Sequence, residues 1–191
     1  MPPDSSTDRP RVGIATEGPA SKAVAEAICT NAGIVHRVLC SQGKERLFHD
    51  FGKMLNSLRA GFGAERFLVL PDLHPETDCA AEAIRWNVEI GRQFPTAILC
   101  LAIWETESWL VADENAFNAY LGSTGAVLPP DRVGGTKPSA WIHDIFRRVK
   151  GYPRGAAFDK RTDGAGIAMA MDLEVAGAKS ASLQHFLAKA R

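Results

Sequence analysis

A short apolar stretch that ends in acids constrains the fold more than any other part of this sequence. Residues 67–70 (FLVL) are too few for a helix and are followed by Pro71, so they predict a strand buried on both faces. Such strands belong to parallel sheets covered by helices. In open α/β sheets, reactive groups lie just beyond the carboxyl ends of the strands. Asp72, His74 and Glu76 therefore lie where a site is expected.

Apolar periodicity on both sides of this stretch predicts repeated strand–helix units. Three more strands and three helices are predicted, at residues 11–16, 34–40 and 96–103 and at residues 20–32, 44–60 and 79–93. Strands that alternate with helices predict a parallel sheet with right-handed crossovers. The predicted fold class is α/β, with a four-stranded parallel sheet flanked by helices.

The spacing of apolar residues also predicts which helix faces are buried. In the helix at 44–60, one stripe carries four large apolar side chains, Leu47, Phe51, Leu55 and Leu58. In the helix at 79–93, the spacing predicts that Ile84, Val88 and Gly91 face the sheet, with Arg85 and Arg92 in water. Asp78 or Thr77 is the predicted cap of that second helix.

The C-terminal part of the chain predicts short helices and no further strand. A helix is predicted at residues 108–120 and a loop rich in Gly and Pro at 122–135, and three more helices follow at 138–149, 166–173 and 180–190. The predicted organisation is a disordered lead (1–10), an α/β core (11–121) and a helical, basic C-terminal extension of the same domain (122–191).

Composition excludes several classes of protein. The longest apolar run, residues 97–104, is shorter than the roughly 20 residues that a membrane span needs, and the N-terminus lacks the apolar region of a signal peptide. A cytoplasmic protein without membrane contact is therefore expected. The four cysteines show no CxxC spacing, which favours buried, reduced thiols over a zinc site or disulfides.

Charge is unevenly distributed along a chain whose formal net charge is zero. Residues 132–161 contain eight bases and two acids, a surplus that suits a polyanion. An ordinary solvated face is the alternative interpretation. The candidate nucleic-acid contacts in and around this segment are Lys137, Arg147, Arg148, Lys150, Lys160 and Arg161.

Acids that follow different strands are expected to converge if the first, third and fourth strands are neighbours. These acids are Glu17, Asp72, Glu76 and either Glu105 or Glu107. Clustered carboxylates raise one another's pKa, and a divalent cation is the usual way in which they stay ionised. Magnesium prefers a few carboxylates together with waters and phosphates, and a metal-bound water can attack a phosphodiester.

Each of these residues also has a structural interpretation. An acid at a strand end often caps a helix, and Glu107 and Asp113 fit that role or a salt bridge as well as a metal site. His74 alone fits a surface loop, and the Trp104 and Trp109 pair fits a core position better than a base-stacking platform.

Several segments together resemble a known family. TEGPAS at 16–21, the strand ending in Asp72 and ETESWLVAD at 105–113 are similar to the Toprim-related proteins grouped as domain-of-unknown-function family 4276. The resemblance runs through nearly the whole chain. Its C-terminal part rests on Lys137, Pro138, Gly151, Tyr152, Ser180, Ser182 and Phe186. The resemblance implies a Toprim fold, a divalent-metal site for cutting or rejoining nucleic acid and, in several relatives, anti-phage defence beside an ATPase partner.

The resemblance also implies roles for individual residues. The Toprim glutamate that acts as general acid or base corresponds to Glu17, and the first metal-binding aspartate corresponds to Asp72. The second aspartate of the usual pair is replaced by His74, and Glu76 is the candidate substitute for the missing carboxylate. Glu107 matches the acid of the ESWL-like motif. The implied metal is Mg²⁺ or Mn²⁺, and an imidazole ligand suits manganese better than magnesium.

Three functional hypotheses follow from the sequence. The first is a Toprim-like, metal-dependent nuclease whose catalytic residues are Glu17, Asp72 and Glu107, with His74 and Glu76 completing the metal site. The second is a Toprim-like module that has lost its chemistry and binds a protein partner such as an ATPase. The third is a small-molecule α/β enzyme such as a phosphatase. Against it, the sequence lacks both the Asp-x-Asp-x-Thr nucleophile pattern and a phosphate-cradling glycine loop. The substrate, DNA or RNA, and the oligomeric state stay open.

Overall fold

The computed structural model describes residues 9–73, 77–123, 137–151 and 158–191. The strands are β1 (Val12–Thr16), β2 (His36–Cys40), β3 (Arg66–Leu70), β4 (Asp72–Leu73), β5 (Ala97–Leu99) and β6 (Ala102–Ile103). The helices are α1 (Pro19–Asn31), α2 (Lys44–Phe62), α3 (Cys79–Gln93), α4 (Glu107–Leu110), α5 (Glu114–Leu121), α6 (Pro138–Lys150), α7 (Thr162–Ala170), α8 (Leu173–Lys179) and α9 (Ala181–Ala190).

The predicted four-stranded parallel sheet is confirmed, with the strand order β2-β1-β3-β5. The first strand therefore lies in the middle, and the third and fourth predicted strands lie beside it on one side. Pro71 has no N–H to donate, and it separates β3 from β4, which pairs with β6 as a short parallel continuation. Its carbonyl still accepts the Ala102 N–H at 3.1 Å.

Alternate residues of the central strands belong to two hydrophobic clusters, one on each face of the sheet. In β3, Leu68 and Leu70 point to the side covered by α1 and the C-terminal helices, whereas Phe67 and Val69 point to α2 and α3. All four are buried, which confirms the prediction of a strand covered on both faces. The helices after residue 137 supply Phe146, Ile167 and Phe186 to the first cluster, so they share a core with the sheet.

The predicted buried face of α2 is confirmed, but the predicted buried face of α3 is wrong. Ile84 is 65% exposed and Val88 is 68% exposed, while Trp86 and Ile90 are buried. The Trp86 ring packs edge-on against Phe48 of α2 at 4.9 Å between centroids. Both stripes have helical spacing, and the stripe with the larger aromatic side chain is the one that packs between α2 and the sheet.

Two predicted C-terminal helices are each divided in two. The helix predicted at 108–120 consists of α4 and α5, because Asp113 has extended backbone angles and caps α5. The segment predicted at 166–173 is divided between α7 and α8, with Asp172 as the cap of α8. The predicted loop at 122–135 and the first eight residues of the predicted disordered lead lie almost wholly outside the described residues.

All four cysteines are free, as predicted, but they are not all buried. Cys29 and Cys100 lie in the core, Cys40 is half-buried and Cys79 is exposed at the start of α3. None of the helices in the described ranges combines the length and apolar content that crossing a membrane requires.

Candidate functional site

Glu17 follows β1 directly and its backbone is held by the loop after β2. The Gly43 N–H donates to the Glu17 carbonyl at 2.7 Å, and the Ser41 hydroxyl donates to the same oxygen at 3.2 Å. Gly43 has φ = 101°, a conformation that L side chains rarely adopt. Pro19 then begins α1 in a position where its missing N–H costs no hydrogen bond. Glu17 is thereby fixed at the carboxyl edge of the central strand.

Asp72 lies beside Glu17 at the same edge and is 6% exposed. The Asp72 backbone N–H donates to Glu17 Oε2 at 3.3 Å. The Asp72 carboxylate accepts two hydrogen bonds, one from the Thr106 N–H to Oδ1 at 3.0 Å and one from the Ser21 hydroxyl to Oδ2 at 3.4 Å. Three segments that are distant in sequence therefore meet at this carboxylate.

The segment after β6 brings two more buried acids to the edge. Trp104 has φ = 73°, which is rare for a bulky residue and indicates strain next to the site. Glu105 is 7% exposed, and its Oε2 accepts the Ser139 N–H at the start of α6 at 3.1 Å. Glu107 is 2% exposed, and its Oε2 accepts the Thr106 hydroxyl at 3.2 Å.

Among the described residues, the basic side chain of Lys160 reaches these acids. Its Nζ lies 2.8 Å from Glu107 Oε1 and 4.0 Å from Glu105 Oε1, and its side chain is 42% exposed. The lysine enters from the segment just before α7, on the side of the sheet that carries α1. Four acids and one lysine thus form the carboxylate site, consisting of Glu17, Asp72, Glu105, Glu107 and Lys160.

The electrostatics of the site are dominated by burial and by repulsion between acids. Burial raises the pKa of Asp72 well above its usual range, and the charges of Glu17 and Glu107 raise it further, while the Thr106 N–H opposes them. Burial lowers the pKa of Lys160, but its bond to Glu107 and the surrounding negative charge outweigh burial, so that this pKa is raised. The site therefore favours the protonated form of Asp72 and the charged form of Lys160 more strongly than water does.

The donor chemistry of the site fits a hard divalent cation, because carboxylate oxygens are the ligands that Mg²⁺ and Mn²⁺ take in proteins. The arrangement of the side chains is not that of a preformed metal site. Across the four described ranges, no three side chains of His, Cys, Asp or Glu are already arranged to hold a metal ion. Glu107, the most buried of the acids, is paired with Lys160 instead.

The predicted convergence of acids is found for three of the five proposed metal ligands. Glu17, Asp72 and Glu107 lie at one edge of the sheet, close enough for both glutamates to raise the pKa of Asp72. His74 and Glu76 lie outside the described residues. Their assignment as ligands stays a prediction.

Two residues of the ESWLVAD segment have structural roles. Asp113 caps α5, its Oδ1 accepting the Asn115 and Ala116 N–H groups, and its Oδ2 accepts the Asp172 N–H at 2.8 Å. Trp109 is fully buried, and its Nε1–H donates to the Ser182 hydroxyl at 2.8 Å. The core interpretation of Trp109 is therefore confirmed, and the capping interpretation of Asp113 is confirmed with it.

Five of the six predicted nucleic-acid contacts are exposed, and the sixth, Lys160, reaches the acids of the carboxylate site. Lys137 is exposed at the start of α6, and Arg147, Arg148 and Lys150 are exposed in its last turn. Arg147 pairs with Asp144 at 3.3 Å. Lys160 belongs to the carboxylate site, while Arg161 beside it is exposed.

Sequence reasoning missed the groups that surround Asp72. The Ser21 hydroxyl lies in the first turn of α1, a position where a short polar side chain after a strand end could have suggested a site. Glu105 and Glu107 were alternatives in the sequence, and both are present. The Thr106 N–H and the pairing of Lys160 left no signal in the sequence, since both depend on how distant segments pack.

Comparisons with known proteins identify the family. No curated protein and no solved structure matches the chain. The family model described as Domain of unknown function (DUF4276) matches residues 16–190, which include every member of the carboxylate site. The match covers nearly the whole chain, and this protein therefore belongs to the DUF4276 family.

Proposed function

We propose that this protein is a divalent-metal-dependent nuclease of Toprim type that hydrolyses nucleic-acid phosphodiesters. One observation carries the proposal, the buried Asp72 carboxyl whose pKa is raised by burial and by two neighbouring glutamates. A fold rarely retains such a cluster without a use, because buried like charges destabilise it. Strained and destabilising arrangements of this kind concentrate at functional sites.

Asp72, Glu17 and Glu107 would hold the metal, with His74 and Glu76 as further candidates. A bound Mg²⁺ or Mn²⁺ would neutralise phosphate charge and lower the pKa of a coordinated water. The protein's own part is to aim the acids. The Ser21 hydroxyl and the Thr106 N–H fix the plane of the Asp72 carboxylate.

Glu17 is the proposed general acid or base, the role implied by the resemblance to Toprim proteins. Its backbone carbonyl is held by Ser41 and Gly43, so that its side chain starts from a fixed point at the sheet edge. Its Oε2 accepts the Asp72 N–H at 3.3 Å. This contact keeps Glu17 next to Asp72, the proposed metal ligand.

A nuclease assay with acid-to-amide variants tests the proposal. Purified protein is incubated with labelled single-stranded DNA, double-stranded DNA or RNA and with Mn²⁺ or Mg²⁺. Asp72→Asn and Glu107→Gln are expected to lose cutting by about a hundredfold or more, because each removes a proposed metal ligand. Glu114→Gln is the matched control, since Glu114 is an exposed acid on α5. Equal activity in all four proteins would refute the proposal.

The choice of ion is a further expectation. With His74 in place of an acid, manganese is expected to support more activity than magnesium. His74→Asp adds a hard carboxylate and is expected to shift the preference toward magnesium. An unchanged ratio of the two activities would remove His74 from the metal site.

Basic side chains on α6 are the proposed phosphate contacts. Arg147, Arg148 and Lys150 crowd its last turn, and the side chains of all three are exposed. Replacing Arg147 and Arg148 by Glu is expected to weaken nucleic-acid binding. Its salt dependence is expected to fall by about one unit of slope for each phosphate that the protein no longer neutralises. Binding that is insensitive to salt would count against this surface.

A second candidate function is favoured by the ion pair between Lys160 and Glu107. In this alternative, Lys160 stays paired with Glu107, and the chain binds a protein partner such as an ATPase without chemistry of its own. A cytoplasmic role in anti-phage defence is proposed in either case on the resemblance. Titration with Mn²⁺ separates the two, because the inactive module is expected to bind no metal.

A further inference from the structure

Lys160 pairs with the most buried carboxylate of the carboxylate site. Its Nζ lies 2.8 Å from Glu107 Oε1, and Glu107 is 2% exposed. A carboxylate so deeply buried is costly unless it is paired. Asp72 and Glu105 add their negative charge to the surroundings of the same ammonium group.

The segment that carries Lys160 is anchored on both sides. Phe158 is buried, and its ring lies 5.1 Å from that of Phe146. Asp159 Oδ1 accepts the backbone N–H groups of Arg161 and Thr162 at 2.8 and 3.0 Å. The backbone that carries Lys160 is therefore held in place beside the carboxylate site.

A second set of contacts ties this segment to α5. Asp163 Oδ2 accepts the Asp159 N–H at 2.8 Å, and Asp163 Oδ1 accepts the Tyr120 hydroxyl at 3.0 Å. Gly166 leaves room for the Tyr120 ring, since a Cβ there would lie 2.4 Å from the ring. Such a network distinguishes the pair of Lys160 and Glu107 from an accidental pair of mobile surface chains.

We infer that Lys160 is the resident cation of the carboxylate site and must leave Glu107 before that carboxylate can bind a divalent ion. The inference rests on the proposed function, because it concerns the same site. One ammonium group does not neutralise four acids, so a divalent ion is still attracted. Lys160 competes with that ion for Glu107, and it therefore lowers the affinity of the site for metal.

Calorimetric titration with Mn²⁺ tests the competition. Lys160→Met removes the charge and keeps much of the side-chain volume, and it is expected to lower the dissociation constant for Mn²⁺ by about tenfold or more. Lys160→Arg keeps the charge and is expected to stay within about twofold of wild type. Lys179→Met is the matched control, because Lys179 pairs with Glu114 at 3.5 Å on the surface.

Thermal unfolding in EDTA provides a readout that does not need metal. Lys160→Met leaves Glu107 buried without its cation, so its unfolding midpoint is expected to fall below that of wild type. Added Mn²⁺ is expected to raise the midpoint of Lys160→Met by more than that of wild type. Lys160→Gln replaces the methionine variant if the latter does not fold.

The possible outcomes separate the inference from the proposed function. If wild type binds Mn²⁺ and Lys160→Met binds it no more tightly, the inference is overturned and the proposed function stands. If neither protein binds Mn²⁺, both are overturned. Binding by Lys160→Met with none by wild type supports the inference and overturns the proposed function, because Lys160 then keeps metal out of the wild-type site.

Discussion

Replacing Asp72 by asparagine is expected to stabilise the metal-free protein near neutral pH while removing the proposed metal ligand. Burial raises the pKa of the Asp72 carboxyl, and the charges of Glu17 and Glu107 raise it further. Asparagine has nearly the same shape without the charge. Its Oδ1 can accept the Thr106 N–H as Asp72 Oδ1 does at 3.0 Å, and its Nδ2 can donate to the Ser21 hydroxyl.

The expected gain is a difference between two effects. At an effective dielectric constant of about 20, two unit charges roughly 6 Å apart repel by about 3 kcal/mol. Against this, the Thr106 N–H loses a charged acceptor, which costs roughly 1 kcal/mol. The positive charge of Lys160 already offsets part of the repulsion. A net gain of about 1–2 kcal/mol follows, which raises the melting temperature of a domain of this size by about 2–8 °C.

The dependence on pH follows from the direction of the pKa shift. A carboxyl whose pKa is raised on folding contributes stability that is complete below its unfolded pKa of about 4. That stability is lost as the pH rises through the raised pKa of folded Asp72. The advantage of Asp72→Asn is therefore expected to be small in acid and to grow toward neutral pH.

Urea unfolding in EDTA at several values between about pH 5 and pH 8 measures the difference. Asp113→Asn is the matched control, because Asp113 is also buried but its Oδ2 accepts the Asp172 N–H at 2.8 Å. An amide nitrogen there would meet another donor, so this variant is expected to lose about 1–2 kcal/mol. If Asp72→Asn is no more stable than wild type at the upper end of the range, Asp72 is not a repelled carboxylate and the reasoning is refuted.

Three further predictions test the packing around the sheet. In urea unfolding, Trp86→Ala is expected to lower the free energy of unfolding by about 3–5 kcal/mol, and Val88→Ala by at most about 0.5 kcal/mol. Equal losses would contradict the assignment of the buried face of α3. Trp109→Phe removes one partly buried hydrogen bond and leaves a cavity in place of the larger ring, and the two losses together are expected to cost about 2 kcal/mol. An unchanged midpoint would show that neither the indole N–H nor the ring volume contributes to stability. A thiol reagent is expected to modify exposed Cys79 in the native protein, which mass spectrometry can follow. Burial raises the pKa of Cys100 to about 12, so this thiol is expected to stay unmodified until the protein unfolds. Early modification of Cys100 would contradict its burial.

Local sequence was sufficient for the elements of the α/β part. The run at residues 67–70 predicted a doubly buried strand because too few residues were available for anything else, and Leu68 and Val69 do face opposite clusters. The helices α2 and α3 begin at their predicted residues, Lys44 and Cys79, because loop residues and an Asp cap mark them. The division between α4 and α5 was missed, since the apolar spacing continues across Asp113 and its capping role depends on the backbone angles there.

The sequence by itself determined that acids gather at one edge of a parallel sheet, because the carboxyl ends of parallel strands meet there. The prediction held only if the first and third strands were neighbours, and the strand order of the structure, in which β1 pairs with β3, fulfils that condition. Tertiary structure alone decided which stripe of α3 is buried, since Trp86 and Val88 lie on stripes of equal periodicity and differ in what they meet on α2. It also decided that Lys160 is a partner of the acids, because that contact depends on how the C-terminal helices pack over α1 and no local pattern specifies it.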